Sequence, residues 1–319
     1  MIKYALVFAI FILSLPSYAG DIDLPRGIYS SHVGRDVGKY IDKPYVDGAL
    51  VRVRWSEIEP ENGVFDFSAI ERQRAPVKAA GKNWSLAVIA GWNTPDWLMQ
   101  TTNSRMSIKF RGKNKDIIPF WNHRYQEYSQ KLAHALAKQY GGDKNLILVY
   151  VPQQSANGIE GHFNGMSYED LNAQGLTRKK WVDAAKFAIS AYARAFPRKA
   201  IAIELHEIGR DTSIPADIIN YIKDNHAHQV GIGVWWLSGK LTYQNALLKL
   251  IAKSHLPVYA QVIGNSSQQH RFPNGNYSAV FKQAKEIGAN YIEVWNYELE
   301  KPVPIEITDA IKSFSSYSK

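Results

Sequence analysis

Residues 124–152 read RYQEYSQKLAHALAKQYGGDKNLILVYVP. Tyr128, Leu132, Leu136 and Tyr140 recur every four positions, so one face of a helix over 124–140 is apolar. Gly141-Gly142 stops it. Residues 145–152 then form a short aliphatic run of strand length. A helix that turns directly into a buried strand is half of a parallel β/α repeat, because parallel strands need a crossover between them.

The rhythm extends in both directions. Strands are predicted over 27–31, 48–55, 83–91, 145–152, 199–206, 230–235, 257–263 and 290–295. Helices are predicted over 124–140, 181–196, 214–226, 243–255 and 278–287, the last ending at Gly288. Alternating strands and helices imply parallel pairing with right-handed crossovers. Eight units suggest closure, so the fold class is α/β, a single (β/α)8 TIM barrel. An open doubly wound sheet is the alternative, but no glycine-rich phosphate turn follows the first strand. No linker or low-complexity stretch divides residues 20–319, which read as one domain. Two loops are long, 94–123 and 153–177. Both follow strand ends, where a barrel builds its site, and both read as structureless.

Residues 1–19 form a separate object. Lys3 precedes the apolar run from Tyr4 to Leu15, and Ser17-Tyr18-Ala19 supplies small residues at a cleavage position. This is the pattern of a signal peptide cut after Ala19, and the run is shorter than the roughly 20 apolar residues of a spanning helix. An exported protein, periplasmic or secreted, is expected, with no membrane anchor after cleavage. The chain has no cysteine, which excludes disulfides, thiolate metal sites and cysteine nucleophiles. Hydrophobic residues make up 45% and charged ones 21%, so a large core is available and the composition argues against disorder. The net charge is +9, and basic residues cluster between Arg105 and Lys115. That cluster suits an anionic polymer, although a solvated basic loop has the same composition. Export and the lack of a binding motif argue against nucleic acid.

In a barrel strand alternate residues face the helices and the interior. Val51 and Val53 are expected outward, leaving Arg52 and Arg54 inward. Ile201, Ile203 and Leu205 outward leave Glu204 and His206 inward. The same parity turns Tyr259, Gln261, Tyr291, Glu293 and Trp295 inward. Charges in a barrel interior need partners. The set is either a polar site or an internal salt-bridge network, such as Arg52 with Glu293.

Residues 51–71, VRVRWSEIEPENGVFDFSAIE, resemble the second strand and loop of clan A glycoside hydrolases, most closely the family 42 β-galactosidase type. The likeness continues through Ala80-Gly81-Lys82, Thr94-Pro95-Asp96-Trp97-Leu98 and Trp121-Asn122, covering roughly residues 48 to 150. The resemblance implies a sugar-cleaving barrel with two carboxylates, an acid/base after the fourth strand and a nucleophile at the end of the seventh. Retaining chemistry sets them about 5–5.5 Å apart, and inversion sets them wider.

The sequence departs from that pattern twice. After the fourth strand the family's Asn-Glu pair is missing, and the first carboxylate is Glu160, beside His162 and framed by Gly158 and Gly161. At the nucleophile position of the seventh strand stands Gln261, a neutral amide. Glu204, then Glu293, then Glu207 are the substitutes. Glu160 is expected to protonate the leaving oxygen, and Glu204 or Glu293 to activate water or stabilise the oxocarbenium-like centre. Arg54, Asn157, His162, His206 and Gln261 would orient the sugar or tune the carboxylates. Trp55, Trp92, Trp97, Trp235 and Trp295 fall near strand ends and could present apolar faces to pyranose rings. No metal and no cofactor is expected, because no spaced histidine motif is present. A metal-dependent hydrolase using Glu204, His162 and His206 is the weaker enzyme reading. A carbohydrate-binding barrel without catalysis is the alternative that Gln261 favours.

Overall fold

The structure is a computed structural model that describes residues 22–32 and 40–319. The leader-like segment 1–19 lies outside the described residues. Eight parallel strands close into a barrel: β1 (Gly27–Ser31), β2 (Gly48–Arg54), β3 (Asn83–Ile89), β4 (Leu146–Tyr150), β5 (Ala200–Glu204), β6 (Val230–Leu237), β7 (Val258–Val262) and β8 (Ala289–Trp295). Each strand pairs with its neighbour in sequence, and β8 closes on β1 with Glu293 opposite Tyr29. This is the predicted (β/α)8 barrel, strand for strand.

The alternation of side chains sorts two layers. Val51, Val53, Ile201, Ile203, Val258, Ile292 and Val294 join the helices in the outer core. Leu50, Tyr150, Ala200, Ala202, Tyr259 and Tyr291 fill the barrel interior. Aromatic rings from some strands meet alanines from others, so large and small side chains share the interior. Helix His123–Tyr140 buries Tyr128, Leu132, Leu136 and Tyr140 against the outer layer, as their spacing predicts. Its Asn122 N-cap accepts from the N–H groups of Arg124 and Tyr125. No helix among the described residues is long and apolar enough to cross a membrane.

The two long loops are not structureless. The first carries an antiparallel hairpin, Met106–Phe110 with Lys113–Ile117, turned by Arg111-Gly112 with both φ angles positive. Met106, Ile108 and Ile117 are buried while Ser107, Lys109 and Lys115 are exposed, so one face docks and the other stays wet. The second loop carries helix Tyr168–Ala173, opened by a Ser167–Asp170 capping box. The basic cluster of Arg105 to Lys115 is this hairpin. Its charges masked the period-two alternation that makes it a strand pair.

Parity fails at one predicted inward residue. Arg54 ends β2 at the barrel mouth, its side chain is 64% exposed, and it pairs with Glu57 at 3.8 Å. It lies on the rim and not inside the barrel.

Candidate functional site

The loop after β4 folds back on itself and is tied to both neighbouring strands. Gln153 donates from Nε2 to the carbonyl of Glu204 (2.7 Å). Gln154 accepts at Oε1 from the Gly91 N–H and from Thr94 Oγ1, both at 2.9 Å. Gly158 adopts φ +83° and gives its carbonyl to the Ala90 N–H (3.0 Å); a Cβ there would fall 2.3 Å from the Ala90 oxygen. Only glycine fits a left-handed backbone pressed this closely on β3. The turn delivers Glu160 to a fixed place.

Glu160 is therefore not a solvated loop carboxylate. Asn157 accepts its N–H at Oδ1 (2.9 Å) and donates from Nδ2 to its Oε1 (2.6 Å). Its other oxygen, Oε2, lies 3.3 Å from His206 Nε2 and 3.4 Å from His162 Nε2. Behind it, Glu204 ends β5 fully buried. Its Oε2 accepts from the Gly161 N–H (2.7 Å), and its Oε1 lies 3.2 Å from His206 Nε2. Gly233 on β6 eases the fit, since a Cβ there would stand 3.2 Å from the Glu204 Cα, tighter than ordinary contact. Glu160, Glu204, His162 and His206, all predicted site residues, thus meet in one cluster.

Hydrogen-bond partners set where the protons reside. Gln244 gives its Oε1 to the Glu207 N–H (2.8 Å), which turns its amide Nε2 toward His206 Nδ1 (2.9 Å). Asn164 donates its N–H to His162 Nδ1 (3.1 Å). His162 accepts at Nδ1 from a backbone N–H, so that ring carries hydrogen on Nε2; His206 also turns an Nε2–H toward Glu160, and its Nδ1 faces the Gln244 carboxamide. Burial opposes charge on Glu160, but the two histidines override it and hold its carboxyl well below the usual range. Burial pushes Glu204 up to about 7, with the charge of Glu160 adding to it and His206 opposing. Burial works against a proton on His206, yet Glu204 and Glu160 together raise it to about 9. His162 is lowered, chiefly by burial.

Glu160, His162 and His206 also offer three ligand atoms within 4.8 Å of one another. A cation would need bare Nε2 atoms on both rings. The Asn164 N–H places hydrogen on His162 Nε2, and the raised His206 keeps a proton on its own, so the trio fits a carboxylate clamped by donors better than a metal site.

Glu293 and Gln261 belong to a different assembly deeper in the barrel. Glu293 is fully buried and accepts from Tyr150 Oη (2.9 Å) and Tyr291 Oη (2.6 Å) at Oε1, and from Gln261 Nε2 (2.5 Å) at Oε2. Arg52 donates to Ser31 Oγ (3.0 Å) and reaches Gln261 Oε1 at 3.5 Å. The expected pairing of Arg52 with Glu293 is relayed through the amide of Gln261, which accepts from the cation and donates to the carboxylate. Burial raises the Glu293 carboxyl, and its three donors with Arg52 oppose that shift.

The tryptophans separate in the same way. Trp55 is fully buried in the outer layer, where its Nε1 donates to Glu59 Oε2 (2.7 Å). Trp97 donates to the Glu59 carbonyl (2.9 Å) and packs edge-on to Tyr128. Both are packing residues. Trp235 is buried with the Arg52 guanidinium 4.6 Å from its ring centroid, and Trp295 is half-buried at 5.7 Å from the same group. Trp92 lines an open groove of about 960 Å³ beside Asn157 and Phe110. His206 lines a second groove of about 590 Å³ with Tyr243 and Gln244. Glu160 thus bonds one lining residue of each groove. Glu207 instead accepts from the Leu247 N–H near the start of helix Asn245–Ser254 (3.3 Å). Sequence reasoning missed Gln244 and the groove residues Phe110, Arg111 and Arg72. The Arg105–Lys115 cluster was the one available signal, for Phe110 and Arg111.

A family model for β-galactosidase, glycoside hydrolase family 42, matches residues 47–169. No curated protein sequence matches the chain. Among solved structures, the β-galactosidase of Bacillus circulans sp. alkalophilus superposes with a TM-score of 0.60 at 11% identity, over 92% of this chain and 56% of that one. The endo-1,4-β-xylanase of Caldicellulosiruptor owensensis gives 0.54 at 12% identity, over 85% and 84%. An exo-β-1,4-mannosidase from Opitutaceae bacterium strain TAV5 gives 0.51 at 12%, over 92% and 59%. The chain spans just over half the length of the β-galactosidase and mannosidase structures. It is a (β/α)8 barrel related to the clan A glycoside hydrolases, with its family 42 likeness confined to residues 47–169.

Proposed function

We propose that the protein is an exported glycoside hydrolase in which Glu160 is the carboxylate that meets the sugar, with the proton held behind it by Glu204 and His206. The observation that carries this reading is the pair of carboxylates on either side of one His206 Nε2, at 3.3 and 3.2 Å. Their environments push them apart, Glu160 down and Glu204 up to about 7. Two carboxyls pushed apart in pKa beside one histidine are a recurring arrangement of acid/base catalysis at neutral pH. The leader-like first nineteen residues support export.

In this scheme the His206 proton passes to Glu160 and on to the glycosidic oxygen as the bond from that oxygen to the anomeric carbon breaks. Water then adds its hydroxyl to the anomeric carbon, and its remaining proton returns to the Glu160–His206–Glu204 set. Glu204 never touches substrate, because it is fully buried; it positions and reloads His206. Asn157 and Trp92 would orient the sugar at the groove.

One observation favours a second reading, a carbohydrate-binding barrel without catalysis. The clan's nucleophile position holds Gln261, locked between Arg52 and Glu293. A panel of neutral and anionic glycans, incubated with the protein and with its Glu160→Gln and Glu204→Gln variants, separates the two. Cleavage that Glu160→Gln abolishes and Glu204→Gln shifts in pH supports the hydrolase. Binding without cleavage by any form supports the second reading.

A further inference from the structure

The groove beside Glu160 is strongly basic. Arg52 and Arg54 come to it from β2, Arg72 from helix Ser68–Ala79, and Arg111 and Lys113 from the hairpin. One carboxylate among its described lining residues, Glu57, is taken by Arg54. Arg72 has a neutral partner, Ser68 Oγ at 3.2 Å, and Arg111 lies over the Phe110 ring at 5.0 Å. Arg52 Nε is buried without a hydrogen-bond partner among the described residues. Cations brought together from three elements repel one another, and a concave surface concentrates their field. Neutral sugars would give nothing in return for that repulsion. The groove also holds Trp92 and Phe110, edge-on to each other at 6.1 Å, and the carboxamide of Asn157, which donates to Glu160. Aromatic faces beside Arg72 and Arg111, which have no carboxylate salt-bridge partner among the described residues, suit a ring that carries acid groups. At about 960 Å³ the cleft is at the large end for a ligand site, where roughly 300–1,000 Å³ is usual, and has room for more than one sugar.

We propose that this groove binds an anionic glycan, its acid groups paired with Arg72, Arg111 and Lys113 and its rings on Trp92, so that the chain enters the site past Asn157. The inference rests on the hydrolase reading for the place of cleavage and on the groove alone for the charge of the ligand. Carboxylate and sulfate share the required chemistry.

The test is equilibrium binding at fixed salt to polygalacturonate, heparin, neutral dextran and a single-stranded oligonucleotide. It compares the intact protein, Arg72→Glu with Lys113→Glu, and a control pair of equal charge change on outer helices, Lys138→Glu with Lys249→Glu. One or both acidic polysaccharides should bind at least about tenfold tighter than dextran, and the groove pair alone should remove most of that advantage. Preference for polygalacturonate assigns carboxylates and preference for heparin assigns sulfates. Equal binding of dextran overturns the proposal. So does equal loss in the control pair, or an oligonucleotide bound tightest through the same residues. Binding of acidic glycan without cleavage sinks the hydrolase and leaves this inference standing; cleavage of neutral glycans alone does the reverse.

Discussion

Glu160, its side chain 22% exposed, and Glu293, fully buried, stand in the same barrel, yet their surroundings prepare them for different work. Glu293 meets two tyrosine hydroxyls and an amide, and the nearest cation, Arg52, acts on it through Gln261. Its partners hold it in place, and none of the three side chains bonded to it lines either groove. Glu160 meets an amide on one oxygen and two histidines on the other, with a second carboxyl behind them. Two of its partners line open grooves. Satisfied hydrogen bonds make a buried charge tolerable in both places. Only titratable partners make it able to exchange a proton.

The largest effect expected from this contrast is on cleavage. Glu160→Gln keeps the size of the side chain and removes the proton acceptor, so the rate should fall about a thousandfold, within the usual range for a general acid/base group. Turnover of whichever glycan the protein cleaves measures it. A loss under tenfold would place the chemistry elsewhere and erase the distinction between the two carboxylates.

The second effect is on stability, at the other carboxylate. Glu293→Ala strips an acceptor from Tyr150, Tyr291 and Gln261 and leaves Arg52 without its counter-charge. Breaking a buried pair from one side costs about 3–5 kcal/mol. Urea unfolding should show that loss, with activity per folded molecule changed by no more than a few-fold. Unchanged stability with lost activity would mean that Glu293 does chemistry.

A third substitution asks whether the clan's usual carboxylate can be restored. Gln261→Glu puts a second carboxyl where Nε2 now lies 2.5 Å from Glu293 Oε2. One of the two must then hold a proton in the folded state, because like charges this close cannot both ionise. That proton is costly to keep as pH rises. The variant should be near wild type at pH 5 and about 2 kcal/mol less stable at pH 7.5, with no gain in cleavage. A gain would mean that the seventh-strand position still faces the sugar.

The sequence was informative where a local rule operates alone. Parity placed Gln261 and Glu293 inside the barrel and Glu204 at the end of its strand, since one hydrophobic face per strand decides the other, while His206 stands beyond the strand and lines a groove. Parity failed for Arg54 because that residue, though still paired with Ile89, ends β2 at the barrel mouth, where its long side chain reaches water. Glu160 was legible as the first carboxylate after β4, but its clamp was not. His206 comes from another strand, and Gln244 from just before the next helix but one. Nothing in the spacing of residues 160, 206 and 244 records that they meet. The aromatics show the same limit. Trp55 and Trp92 both stand at strand ends, yet one faces the helices and the other the groove. The hairpin was hidden by composition, since lysines and arginines on its wet face outweigh the few apolar residues that dock it.

The smallest expected effect is also the most direct probe of the shared proton. Glu204 titrates near 7 in the folded protein and near the ordinary glutamate value when unfolded. Between roughly pH 4.5 and 7 the folded state therefore binds the extra proton. Stability from this group is fully present below that window and falls as pH rises through it. His206, raised to about 9, extends the decline on the alkaline side. Glu204→Gln keeps an acceptor for the Gly161 N–H but cannot titrate, and it also removes the carboxylate that contributes most to raising His206. The variant should lose the decline, gaining on the order of 1–2 kcal/mol relative to wild type between pH 5 and pH 7.5. Parallel stability curves for the two proteins would mean that Glu204 does not hold the proton at neutral pH. Glu160 would then stand as isolated from its histidines as Glu293 is from the grooves.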